Sequence, residues 1–218
     1  MVRFSSDVDI LKYEPILFGE LHLPWQVLTG GAGGTLAGTI LTACDVNFEG
    51  AGVSAGGVIY LNSADRSLDG AYEIVSVDSA TQLTVSVLRS DPGDDPVAPP
   101  AAEDVTYRIS TFGPQAGEAA FQLTEYFGIQ PGSPMSTVTV EDIVDTEGLR
   151  RASAFLVISS VYAMWTSRAE CETFWQKSLH YRQLFETARQ RSHLSVDLGS
   201  DGVADVTRMG GAIRLMRD

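Results

Sequence analysis

Three carboxylates at four-residue intervals, Asp197, Asp201 and Asp205, surround an Asp201-Gly202 pair near the end of this chain. Hard oxygen ligands of this kind are what calcium takes. The D-x-[DN]-x-[DN]-G pattern of a calcium loop is broken, because Gly199 occupies the middle ligand position and Arg208 stands where the closing glutamate belongs. A metal-free Asx or type I′ turn is the expectation. His22, His180 and His193 have no ligand spacing with Cys44 and Cys171, so neither a zinc centre nor a Cys-His nucleophile is indicated. The glycine-rich GGAGGT at Gly30–Thr35 lacks the Gly-Lys-Ser/Thr ending that places a lysine on phosphates, and it is not G-x-G-x-x-G. No G-x-S-x-G elbow occurs. The expectation is a protein with no catalytic residue, no metal and no cofactor.

The elements that must position these residues fall into contrasting parts. At 218 residues and 44% apolar content, the chain can bury a substantial core. No apolar run reaches the roughly 18–20 residues needed to cross a bilayer, and the N-terminus carries no signal-type stretch, so a soluble protein without a membrane partner is expected. Cys44 and Cys171 lie in unlike segments, which predicts buried free thiols and not a disulfide scaffold. Charge is uneven: residues 1–148 carry 5 basic and 21 acidic side chains, residues 149–218 carry 10 and 7. An acidic body argues against phosphate-backbone binding, which lysine and arginine supply.

Ile10, Leu11 and Tyr13 are placed to line a short helix that Pro15 ends. Beyond Trp25, glycine density suggests turns, and Thr39, Leu41 and Ala43 alternate as in a strand. Strand signals then recur at Val58–Leu61, Tyr72–Val77, Leu83–Leu88 and Val105–Ile109, with Asp69-Gly70 as a turn signal and the proline-rich acidic run near residues 91–104 as an outer loop. These predict a small antiparallel barrel or curled sheet.

A helix starting between Asp145 and Leu149 is apolar on almost every side, which fits either a subunit contact or an ordinary central helix of a three- or four-helix core. The next helix reads from Glu170 to His193, opened by a Ser167/Glu170 capping box, with Cys171, Phe174, Ser178, Tyr181, Phe185 and Ala188 on one face. Arg182, Arg189 and Arg191 suit the dipole at its C-terminal half, facing solvent. Phe155, Val161, Trp165, Phe174, Tyr181 and Phe185 are the candidate subunit-interface residues. The final segment, Ser195–Asp218, alternates Val196 and Leu198, turns at Asp201-Gly202, and has a second strand-like run at Ile213 and Leu215. It reads as a docking arm. The fold class is therefore α+β: a helical core, or helical bundle, in residues 1–28 and 112–194, an inserted barrel-like domain in 29–111, and an extended C-terminal arm in 195–218.

The Glu14-Pro15 pair after the first helix, LRRAS at Leu149–Ser153, HYRQLFETA at His180–Ala188 and DLGSDGVADVTR at Asp197–Arg208 together resemble the head-tail connector adaptors of tailed bacteriophages. The resemblance covers residues 1–25 and 140–218, and the strand-rich insert matches only loosely the small barrels that decorate some phage neck proteins. It implies a virion structural protein at the capsid vertex, assembled in the host cytoplasm as a twelve-subunit ring beneath the portal protein. It also implies a downstream neck or tail partner and a channel through which DNA passes without specific recognition. The arm from Val196 to Met216, including Val196 and Leu198 as partner-binding residues, would then engage portal, with Ile213 and Leu215 as apolar anchors and Arg208, Arg214 and Arg217 as partners for acidic groups. Rival expectations are a tail terminator or other neck ring protein, and a binding module in which Tyr60, Tyr72 and Tyr107 line a shallow groove.

Overall fold

The computed structural model describes residues 2–129, 138–169 and 172–210. The chain is α+β and divides into two compact units, one formed by Ser6–Phe112 and the other by the first five residues with Gly113–Asp218.

The first unit is a closed antiparallel barrel. Its strands are β1 (Val27–Ala37), β2 (Ile40–Thr42), β3 (Val58–Asn62), β4 (Asp69–Ser79), β5 (Gln82–Ser86) and β6 (Ala102–Ser110). They follow the order β1-β2-β5-β4-β3-β6, and β1 pairs with both β2 and β6, so no edge is left open. Leu36, Leu41, Phe48, Ile59, Ile74 and Val105 are among the residues filling the interior.

Of the glycines expected to mark turns, Gly38 does so between β1 and β2 at φ +60°, whereas Gly30, Gly31, Gly33 and Gly34 lie inside β1. Their role is to make room for an aromatic ring: a methyl group on Gly31 would sit 2.7 Å from the Tyr107 hydroxyl oxygen. Tyr107 is itself buried, its ring edge-on to Phe48 at 5.9 Å. Register shifts between Gly31 and Gly34, with Gly33 at φ +75°, let β1 bend sharply enough for closure. Asp69-Gly70 likewise begins β4 and does not form a turn. The reversal comes earlier, where the Asp65 carboxylate accepts hydrogen bonds from the Ser63 and Ser67 hydroxyls and the Ser67 amide. Cys44, expected to be buried, is exposed just beyond β2, where strand pairing has ended.

The acidic proline-rich loop is tied to the barrel by one buried ion pair. Arg89 contacts Glu73 at 2.7 Å and donates to the carbonyls of Pro92 and Asp94. Burying such a pair is costly unless every donor is used, and this arginine spends its donors on both the carboxylate and the loop backbone.

Residues 6–28 were expected in the helical core, and the structure groups them with the barrel. Helix α1 (Asp7–Leu11) is capped by Ser6 in a box with Asp9, and buries Ile10 and Leu11 while Tyr13 beyond it is exposed. The Val8 amide donates to the Gly56 carbonyl, the Phe112 amide donates to Asp7, and the Arg108 guanidinium donates to the carbonyls of Phe18 and Gly19. Backbone groups of the segment are thus satisfied by barrel partners.

The second unit contains α2 (Gly113–Tyr126), α3 (Glu147–Ala169), α4 (Glu172–Arg191) and a sheet of β7 (Ile143–Asp145), β8 (His193–Val196) and β9 (Val206–Met209) in the order β7-β8-β9. Every residue of α3 from Ala152 to Ser159 is buried. Ser167 was expected to start the next helix, yet it lies within α3 and donates to the Ala163 carbonyl. Local capping chemistry there is overridden by continuation of the longer helix. Glu170 and Cys171 lie outside the described residues. Among the described residues, no helix is long and apolar enough to cross a membrane.

Gly31→Ala is expected to destabilise the chain by about 1–3 kcal/mol through overpacking against Tyr107. Tyr107→Phe in the same chain removes the nearest clashing atom and is expected to recover part of that loss. Denaturant midpoints of the single and double variants check both.

Candidate functional site

The two faces expected to meet partners are the α3–α4 surface and the C-terminal segment. Alternation along α4 does produce the expected packing face: Ser178, Tyr181 and Phe185 are buried. That face is covered by the chain itself. Tyr181 lies 5.9 Å from Phe155 and 6.3 Å from Tyr162, and Phe174 lies 5.9 Å from Tyr162, centroid to centroid. Ser159 and Ser178 each donate a hydroxyl to the other's backbone carbonyl at 2.9 Å, which ties the two helices with no polar atom wasted.

The assignment of subunit-interface residues is therefore corrected for the four that the chain itself buries. Phe155, Val161, Tyr181 and Phe185 are buried within a single chain, and Trp165 and Phe174 are half-buried. Over its described residues α3 is packed by α2, α4 and β8. What α4 does present to solvent is Trp175 and Leu179, four residues apart on one side. Arg182 and Arg189 both pair with Glu186, and Arg189 also stacks 4.1 Å from the Tyr126 ring centre, so these two arginines serve packing within the chain.

The C-terminal segment is partly folded into the unit's own sheet. Val196, expected as a partner anchor, is buried in β8, the central strand. Arg208, expected to meet acidic partner groups, donates to the Phe127 carbonyl at 2.6 Å. The second strand is Val206–Met209, earlier than the expected run; Ile213, Arg214, Leu215 and Arg217 lie outside the described residues. Leu198 is exposed, and sequence reasoning missed three companions on the same hairpin. Fractional exposures are 54% for Leu198, 64% for Val203, 40% for Val206 and 67% for Met209. The alternation of V-T-R-M after the Asp201-Gly202 turn was the signal that could have revealed β9.

The Asp-rich loop that joins β8 to β9 uses its carboxylates on its own backbone. Asp197 accepts from the Gly202 amide at 2.6 Å and from Asp201, while Asp205 accepts from the amides of Leu198 and Gly199 at 2.8 and 2.9 Å. Asp201 accepts from Val203. These are Asx-type caps that hold the loop in one shape. The Gly202 amide, with those of Asp201, Ser200 and Gly199, holds the Asp197 carboxyl below the usual carboxylate range, against the opposing effect of burial. Among the described residues no group of three or more His, Cys, Asp or Glu side chains is arranged to hold a metal ion. His22 meets the Gly19 carbonyl through Nδ1, and His193 lies 3.5 Å from Asp145.

On the barrel unit, an open cleft of about 590 Å³ is lined by Thr35, Leu36, Ser63, Asp65, Ser67 and Glu103. The Ser63 hydroxyl, with the amide and hydroxyl of Ser67, lowers the Asp65 carboxyl to about 2, so the cleft stays anionic. The whole unit carries 15 acidic and 4 basic side chains, a net of −11. A groove of three tyrosines is not formed, because Tyr107 is inside the barrel and Tyr60 is bonded to Asp69 beneath the Arg108 guanidinium.

With its carboxyl held low, Asp197 contributes to hairpin stability fully above the unfolded-chain value, and that contribution disappears as pH falls through the lower folded value. Asp197→Asn is expected to remove this acid dependence and to speed hydrogen exchange at the Gly202 amide, which exchange measurements across the acidic range would detect. Neither family models nor the curated proteins nor the solved structures contain a match to this chain, so the functional reading rests on the geometry just described.

Proposed function

We propose that this chain is a structural subunit of a bacteriophage head-tail connector, an adaptor that forms a ring beneath the portal and joins capsid to neck or tail around a DNA channel. The observation that carries the proposal is the β8–β9 hairpin. Its base is fixed by buried Val196 and by the Asp197 and Asp205 caps, while Leu198, Val203, Val206 and Met209 stand in solvent. A rigid support for exposed apolar side chains is what a docking element requires, since little ordering entropy is then lost on binding. The chain runs from this hairpin directly into residues 211–218, which carry Ile213, Arg214, Leu215 and Arg217. These supply apolar anchors and cations for acidic portal groups. Ring symmetry makes each further attachment effectively intramolecular and strengthens a weak single contact.

The anionic barrel supports the channel part of the reading. A net of −11 on one unit repels phosphate and leaves DNA able to slide past.

Removal of the whole segment from Ser195 would take away part of the central strand β8, so truncation after Gly210 is the clean experiment. The truncated chain is expected to keep its circular dichroism spectrum and melting temperature and to lose portal binding in a pull-down. Undiminished binding would refute the role given to residues 211–218; the hairpin is tested by Leu198→Asp with Val203→Asp, whose undiminished binding would refute docking through it. Images of the full chain mixed with portal are expected to show a twelvefold ring, and the isolated ring is expected to release duplex DNA at physiological salt.

A further inference from the structure

We infer that the Asp201-Gly202 bond is this chain's site of spontaneous backbone isomerisation, and that Asp197 restrains the reaction by holding the Gly202 amide. The chemistry follows from the loop alone, whereas its consequence for docking rests on the reading of the hairpin given above.

An aspartate followed by glycine can cyclise. The backbone nitrogen of the glycine bonds to the side-chain carboxyl carbon of the aspartate and one water leaves, which gives a five-membered succinimide. Water then adds back at either carbonyl, so one product is the original aspartate and the other, isoaspartate, carries the main chain through the former side chain. Glycine favours the step because it has no Cβ to crowd the approach. The sequence contains two such pairs, Asp69-Gly70 and Asp201-Gly202, and no Asn-Gly. The first begins β4, inside the ladder where Asn62 faces Asp69 and Leu61 faces Gly70, and its carboxylate accepts the Tyr60 hydroxyl. Strand pairing and the tyrosine hold both reacting groups in place. The second lies in the exposed loop between β8 and β9, outside any ladder, where Ser200 has φ +54° and Gly202 has φ +83°.

Two hydrogen bonds decide how often the reacting atoms of this second pair can meet. The Asp201 carboxylate accepts from the Val203 amide at 2.9 Å, a turn that folds the carboxyl over its own backbone and close to the nitrogen it would join. The nitrogen is the group held back: the Gly202 amide donates to Asp197 Oδ2 at 2.6 Å. An amide must give up its proton to attack, and this one is engaged by a carboxylate that the loop's amides hold below the usual range, so Asp197 is a firm acceptor and a weak base. Asp197 is itself fixed, 5% exposed and with its own amide donating to the Asp142 carbonyl at 2.8 Å. Cyclisation therefore waits for local opening of the loop. Once it has occurred, the isoaspartyl main chain is longer by one methylene between residues 201 and 202, and the Gly202 and Val203 amides no longer lie where the two carboxylates receive them. The exposed Leu198 and Val203 then lose their fixed support.

The test ages the full chain in neutral buffer and locates isoaspartate by peptide mapping. Folded wild type is expected to isomerise at Asp201 before Asp69, and more slowly at Asp201 than the same chain held unfolded in urea. Asp197→Asn is expected to raise the rate at Asp201 severalfold while the ladder amides around Leu194 and Arg208 stay protected from exchange. Asp201→Glu, which cannot close the five-membered ring, is expected to abolish the product. Equal rates in folded and unfolded wild type, a variant at Asp197 no faster than wild type, or first appearance of isoaspartate at Asp69 would each overturn the inference. Should Asp197→Asn lose the ladder, wild type decides: the rate at Asp201 must rise with mild urea in step with exchange at the Gly202 amide, and a rate indifferent to that opening overturns the inference. Portal binding is read on the same aged samples. Binding that falls as isoaspartate accumulates supports docking through the hairpin, whereas undiminished binding by the isomerised chain refutes that docking and leaves the chemistry standing.

Discussion

The second unit is organised by one constraint: α3 has no side that can face water between Ala152 and Ser159. A helix buried around its whole circumference must be surrounded before its neighbours gain anything, and the chain supplies that cover from several directions. Helices α2 and α4 and strand β8 all pack on it, and Ser5 near the N-terminus meets Ser153 through a hydroxyl pair at 2.8 Å. The reciprocal Ser159–Ser178 bonds then fix the one place where polar groups enter that interface. Because β8 is held by the same core, the hairpin it begins inherits a fixed position. Rigidity of the β8–β9 hairpin thus originates in the burial of a helix that never reaches the surface there.

The barrel depends on a different balance. Six strands close completely, which removes open edges from this unit, while among the described residues the sheet of the second unit keeps two. The contrast is chemically consistent with the division of roles proposed above. A closed surface with a net of −11 repels other anions and offers no strand to pair with. The open sheet carries the exposed valines and methionine.

Much of the barrel could be read from alternation alone, because Val58–Asn62, Tyr72–Val77 and Leu83–Ser86 each obey the two-residue period of a strand. The glycine-rich β1 could not, since its glycines answer to the ring of Tyr107, some 75 residues later in the chain. The buried face of α4 was legible from its spacing, but what covers that face was not. Periodicity reports that a side is apolar and is silent on whether the cover comes from the same chain, and Phe155 and Tyr181 were assigned to a neighbour for that reason. Ser167 shows a similar limit: a local capping pattern competes with helix continuation, and the tertiary core decided for continuation. In the C-terminal segment the Asp-Gly turn was legible, and β9 carried the V-T-R-M alternation, but four residues give that signal little weight beside the apolar run at Ile213 and Leu215.

The attachment of the barrel has a consequence for how such a chain is built. The polypeptide leaves the helical unit after Ser5 and returns at Gly113, and the first and last turns of the inserted unit are fastened together where Asp7 accepts the Phe112 amide at 2.8 Å. With its two ends held a hydrogen bond apart, the whole barrel behaves toward its host as a very short loop would, and loop-closure entropy is no obstacle to its presence. With entry and exit this close, chain topology by itself sets no limit on the size of what is inserted at that point.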